Sequence, residues 1–230
     1  MGGGVLAGGL HAISGPDHLA ALLPRIMGKA WPVAMRIGAV WGLGHGFSAT
    51  LIGLAAFFLK DRIQAGGGGG GRWISKLGTY TEVLVGVSLI TIGLIGLKES
   101  LLDKPHEDDA AAAASEISGE KSPAKRGGGQ RAIFLNGLLH GFSWDGAPSL
   151  APALACTTWH GVLWFLLAYC GGTMAAMSAA TTIIGEGSVR VGQALEQPDI
   201  PKRLSVVSSG IAIAIGAVWL VKAAFFGGGG

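Results

Sequence analysis

Six ionisable side chains stand in apolar surroundings where charge is costly: His11, Asp17, His18, His45, His140 and Asp145. The densest group is His11-Ala-Ile-Ser-Gly-Pro-Asp-His18, preceded by Val-Leu-Ala-Gly-Gly-Leu and followed by Leu-Ala-Ala-Leu-Leu. Imidazoles grouped with a carboxylate can ligate a transition metal; Mg and Ca prefer all-oxygen sites. In an unbroken helix His11 and His18 would share a face yet sit about 10 Å apart, too far for one ion. Pro16 lacks an N–H and its ring clashes with the carbonyl four residues back, so the helix is expected to break there. Ser14 is the expected cap of a second half-helix beginning near Pro16. The break frees carbonyls near Ala12 and Ile13 and folds the two imidazoles together.

These residues need a scaffold, and composition says of what kind. Half of the 230 residues are hydrophobic and 13% are charged, about half the charged share usual in soluble domains. Apolar stretches of the roughly 20 residues needed to cross a bilayer recur, most clearly at Ile37–Leu59, Tyr80–Leu97, Val162–Ile184 and Leu204–Val221. Helices are required, because a bilayer offers no water to unpaired backbone groups. The expected fold is an all-α polytopic membrane protein with six transmembrane helices, near 4–23, 33–59, 73–97, 132–155, 160–185 and 204–225. Ionisable groups at that depth mark a functional site. The lipid bilayer is therefore an expected partner, and nucleic acid is not.

The chain falls into two similar halves: a three-helix repeat over residues 1–102, a polar linker over 103–130, and a second three-helix repeat over 131–230. Leu10-His11-Ala-Ile-Ser14 is echoed by Leu139-His140-Gly-Phe-Ser143, with Asp17 following in one half and Asp145 in the other. Trp31 precedes the second span and Trp159 the fifth, and the glycine-rich stretch Gly42–Gly53 pairs loosely with Gly171–Gly185. An odd number of spans per half makes the second copy inverted. Corresponding helices broken by Gly or Pro in both copies point to a transporter site, and Gly15-Pro16 and Gly146 with Pro148 and Pro152 meet that test. Connections one, three and five carry 12 Lys and Arg, from Arg25 to Arg203, against 5 on the opposite side. That asymmetry puts those connections on the cytoplasmic or stromal face.

Other polar residues have plainer readings. The linker's His106, Glu107, Asp108 and Asp109 could capture metal, but its low-complexity composition reads as a solvated connection. His160 beside Trp159 reads as interfacial. Glu82 is weighed as a coupling carboxylate and preferred as interfacial. Met174 and Met177 read as packing. Cys156 and Cys170 lack metal or redox spacing, and both lie in the second half, which disfavours a thiol relay with one cysteine per half. Four glycine runs, at 2–4, 66–71, 127–129 and 227–230, are given no structural weight.

Taken together, Leu-His-Ala-Ile-Ser-Gly-Pro-Asp-His-Leu-Ala-Ala-Leu (10–22), Gly-Ala-Val-Trp-Gly-Leu-Gly-His (38–45), Phe-Phe-Leu-Lys-Asp-Arg (57–62), Ile-Gly-Leu-Lys-Glu (95–99) and Gly-Leu-Leu-His-Gly-Phe-Ser-Trp-Asp (137–145) resemble the nickel/cobalt transporter superfamily. The likeness is greatest to its plant and cyanobacterial high-affinity nickel-transport-like membrane proteins. The resemblance implies that His11, Asp17 and His18 bind the permeating ion and that His45 assists. The spacing here, His-x5-Asp-His, is one residue longer than the superfamily signature, and Gly-Pro stands where that signature has Asp-Ala.

The resulting expectation is a secondary transporter, not an enzyme, moving Ni²⁺ or Co²⁺, or another divalent transition metal, with no permanently bound cofactor. Its site comprises His11, Asp17, His18, His45, His140 and Asp145, between inverted repeats. Family resemblance implies a plastid membrane, thylakoid or envelope. The alternative is a non-transporting subunit or assembly factor that keeps the fold and docks with partners in a larger membrane complex.

Overall fold

The computed structural model describes residues 2–65, 69–102, 126–143, 147–197 and 199–226. Eight helices account for these residues, and no strand occurs among them. In chain order they are α1 (Gly2–Ser14), α2 (Pro16–Ile26), α3 (Trp31–Ala65), α4 (Gly69–Leu101), α5 (Arg126–Gly141), α6 (Ala147–Leu154), α7 (Trp159–Ala194) and α8 (Ile200–Phe226). The stretches expected near 4–23 and 132–155 are each divided, into α1 with α2 and α5 with α6. At 13 and 11 residues, α1 and α2 each fall short of a bilayer's thickness. Among the described residues, four helices are long and apolar enough to cross one: Trp31–Leu59, Gly78–Leu101, Trp159–Ala194 and Ile200–Phe225.

Small residues set how the helices meet. Where side chains gain little from leaving an apolar solvent, close backbone approach and dispersion contacts hold helices together. The long helices α3 and α7 run antiparallel: a Cβ at Gly38 would strike Met177 and Thr181, one at Gly42 Met174, and one at Gly46 Cys170. The helices α4 and α8 also run antiparallel, with Gly86 against Gly216 and Gly93 against Ser209 and Ile213. The two half-helices are placed crosswise. α1 lies parallel to α7, with Gly8 pressed on Tyr169 and Gly172 on Val5. α5 lies parallel to α3, with Gly137 pressed on Trp41 and Gly44 on Phe134. Polar side chains seal these seams: Thr173 Oγ1 donates to the Gly8 carbonyl at 3.2 Å and Thr181 Oγ1 to that of Ala34 at 2.8 Å.

The glycine run 2–4 carries structure after all. It opens α1, and Gly4 is buried where a Cβ would meet Phe165 and Ala168. Gly28 adopts φ +76° in the turn between α2 and α3, a conformation that suits glycine, and its N–H donates to Ser188 Oγ at 2.9 Å. The next helix is tethered to the same end of α7, because the Trp31 N–H donates to Glu186 at 3.0 Å. Thr158 caps α7 by accepting from the Gly161 N–H at 3.2 Å.

Candidate metal centre

The break at Pro16 does more than bend the chain. In a continuous helix the N–H of residue 16 would bond the Ala12 carbonyl. Proline has none, and that carbonyl instead accepts a hydrogen bond from His18 Nδ1 at 3.1 Å. A carbonyl only accepts, so Nδ1 carries the hydrogen and Nε2 keeps its lone pair, the arrangement in which imidazole ligates a metal. Gly15 sits at the break with φ −74° and ψ 111°, and a Cβ there would lie 2.5 Å from His18 Nδ1 and 2.7 Å from Cε1. Ser14 is not the cap. Its hydroxyl donates back to the His11 carbonyl at 3.2 Å, Gly15 occupies the cap position, and no side chain caps α2.

The result is convergence. One ring nitrogen each of His11, His18 and His45 lies within 4.8 Å of the others. Ring centroids are 5.0 Å apart for His11 and His18, 5.2 Å for His11 and His45, and 4.7 Å for His18 and His45. Three nitrogens bound tetrahedrally at about 2.05 Å would be about 3.4 Å apart, so modest ring rotations suffice to close on an ion. His18 and His45 are buried at 3% and 1% exposure, and His11 is partly buried. His45 Nδ1 is buried with no hydrogen-bond partner among the described residues. A buried polar nitrogen so left costs about 1–3 kcal/mol, which suits a donor that meets its partner in a ligand.

His140 approaches from the other half. Its ring lies 6.2 Å from that of His18, its Nδ1–H donates to the Asn136 carbonyl at 2.9 Å, and its Nε2 is buried without a hydrogen-bond partner among the described residues. It stands beside the triad, outside the tight group. Asp17 also lies beside it: in the first turn of α2, buried, with Oδ2 3.9 Å from His18 Nε2. That distance is beyond a hydrogen bond, so in this arrangement Asp17 does not orient the ring directly. Asp145 and the linker acids with His106 lie outside the described residues.

The chain is 36% identical over 228 residues to Chloroplast protein FOR GROWTH AND FERTILITY 1 of Arabidopsis thaliana, matching 97% of this chain and 59% of that protein. It is 34% identical to Chloroplast protein FOR GROWTH AND FERTILITY 2 of the same plant, over 97% of this chain and 56% of that one. Urease accessory protein UreH of Bacillus sp. (strain TB-90) is 26% identical over 185 residues, 79% of this chain and 74% of that protein. The chain thus spans less than three-fifths of the length of the two chloroplast relatives. No protein-family model and no solved structure matches it.

Several neighbours of the site are absent from the sequence reading. Trp41, fully buried, stacks on His45 with centroids 5.1 Å apart and planes 17° off parallel. Tyr169 lies 6.2 Å from His11 and shares a 2.9 Å hydrogen bond with Ser149 of α6. Trp41's i, i+4 spacing to His45 was the one available signal, since it sets both on one helix face. The residues given plainer readings lie outside the histidine cluster. His160 is exposed and packs on Trp159 at 3.7 Å. Glu82 pairs with Lys222 at 3.1 Å, and that Nζ sits 4.1 Å over Trp219. Met177 is fully buried in a cluster with Ala12, Leu22, Ile26 and Trp41, and both cysteines are free thiols.

Proposed function

We propose that this chain is a six-span secondary transporter for a divalent transition-metal cation of the Ni²⁺/Co²⁺ class, built as two inverted three-helix repeats around the histidine cluster. The observation that carries the reading is the convergence of His11, His18 and His45 from α1, α2 and α3, with their nitrogens within 4.8 Å, inside an apolar helical body. Imidazole donors suit Ni, Co, Cu and Zn. His140 and Asp17, beside the triad, complete the set within the described residues. Asp145 joins them by its sequence correspondence to Asp17.

The crosswise packing supports the inverted repeat. Trp41 and Tyr169 each stand ten residues beyond the tryptophan that opens their helix, Trp31 or Trp159. Gly8 presses on Tyr169 as Gly137 presses on Trp41, and each glycine lies three residues before a histidine, His11 or His140. The second contact repeats too, Gly172 on Val5 and Gly44 on Phe134. A two-fold axis that exchanges the halves would carry each contact into its mate. It would also turn α3 onto α7 and α4 onto α8 in the antiparallel sense. Counting α1 with α2, and α5 with α6, as broken spans gives six, and alternating access follows from rocking one repeat against the other.

The likeness to the urease accessory protein supports a place in the nickel/cobalt transporter superfamily that the motifs resemble. The chloroplast relatives and the apolar helices support a plastid membrane as its location. Isothermal titration of the purified protein with Ni²⁺, Co²⁺, Zn²⁺ and Mn²⁺ tests the reading. Saturable binding that a His11→Ala/His18→Ala variant loses is the expected result. No saturable binding, or binding unchanged in that variant, overturns it.

A further inference from the structure

Orientation of the imidazoles traces to a residue of no coordinating chemistry. Trp41 lies against three of the four: stacked on His45 at 5.1 Å, 5.3 Å from His18 and 5.6 Å from His140. Its indole Nε1–H donates to Asn136 Oδ1 at 2.8 Å. An indole N–H only donates, so once buried it needs an acceptor. Asn136 comes from the other half of the chain and holds two things at once. Its side chain takes Trp41, its main-chain carbonyl takes the His140 Nδ1–H, and its amide nitrogen stands 3.5 Å from Ser88 Oγ of α4.

We infer that Trp41 and Asn136 are positioning residues of the ion site: their hydrogen bond fixes the indole, and the indole face fixes the plane of His45 and the packing of His18 and His140. The inference rests on the metal-ion reading above. Rotation of His45 about its Cβ–Cγ bond would tilt the ring off an indole it meets within 17° of parallel, so a fixed indole holds the nitrogen lone pairs of His45 to that plane. Ligation tolerates misorientation of only about 10–20°, and loss of residues that orient metal ligands commonly weakens binding about 10- to 100-fold. Because Asn136 holds Trp41 and His140 together, the same bond keeps the first half's triad in register with the second half's imidazole.

Two variants separate positioning from simple core filling. Trp41→Phe keeps an aromatic face against His45 and removes the N–H; Asn136→Leu keeps volume and removes the acceptor. With full-length protein in detergent, Ni²⁺ titration gives affinity, the visible absorption of bound Co²⁺ reports ligand geometry, and thermal unfolding reports stability. The expected result is that each single variant binds Ni²⁺ about tenfold or more weakly with a shifted Co²⁺ spectrum. The double variant should be no weaker than the worse single one, as for two partners of one bond. Wild-type affinity and spectrum in both variants, whatever their unfolding temperatures, overturn the inference and leave the metal reading standing. So do losses that add in full in the double variant. Absence of metal binding by the wild-type protein overturns both.

Discussion

His18 is held by what surrounds it more than by anything in its own chemistry. A carbonyl orients one nitrogen, and the space that the ring occupies exists because residue 15 has no Cβ. Gly15→Ala would put a methyl group 2.5 Å from Nδ1 and drive the ring off the carbonyl. Calorimetry is expected to read metal affinity about tenfold or more weaker in this variant. The three clustered histidines and His140 beside them were legible in the sequence, because an imidazole in an apolar run stands out. Trp41, Tyr169 and Asn136 were not. An aromatic or amide group in such a run gives no sign that it faces a site, and Trp41's acceptor lies 95 residues away. Ser14 misled because a serine just before a helix is a common cap, whereas this hydroxyl is bonded to the preceding turn. Ser14→Ala, with that side chain exposed, is expected to change stability by no more than about 0.5 kcal/mol in denaturant titration.

At the level of elements, Pro16 makes the site by what it withholds. Pro16→Ala restores an N–H that can take the Ala12 carbonyl, and α1 and α2 can then join into one helix. The variant is expected to keep or raise thermal stability while binding metal about 10- to 100-fold more weakly. The two effects, read by thermal unfolding and calorimetry, move in opposite directions, which separates loss of the site from loss of the fold. The break itself was legible, since proline inside an apolar segment leaves few alternatives. So were α3, α4, α7 and α8, whose apolar length is a property of composition alone. Which half-helix lies along which long helix was not legible. That depends on glycine matching backbone across distances such as Gly8 to Tyr169, and small residues at both ends carry no address.

For the molecule as a whole, the histidines tie ion binding to pH. Only the neutral ring coordinates, so protons and metal compete for the same nitrogens. Apparent Ni²⁺ affinity is expected to be weaker at acid pH than at neutral pH when the titrations are repeated across pH. In proteoliposomes, Ni²⁺ or Co²⁺ flux that His45→Ala abolishes is the expected behaviour of a transporter. Binding without flux would favour the subunit or assembly-factor alternative. The echo of Leu-His around residues 11 and 140 was legible as the expectation of two related halves. The crosswise embrace of the halves was not, being a product of packing.

That embrace has a consequence for how the chain is made. The helix α1 leaves the ribosome well before the surface it packs on, which belongs to α7 and begins 157 residues later. At about 5–20 residues per second the first segment waits roughly 10–30 s for its partner, its broken backbone and its histidines meanwhile without their final neighbours. Insertion machinery or lipid must shelter it through that interval. For the same reason residues 1–102 and 131–230 expressed as separate chains should be short-lived alone and persist when made together.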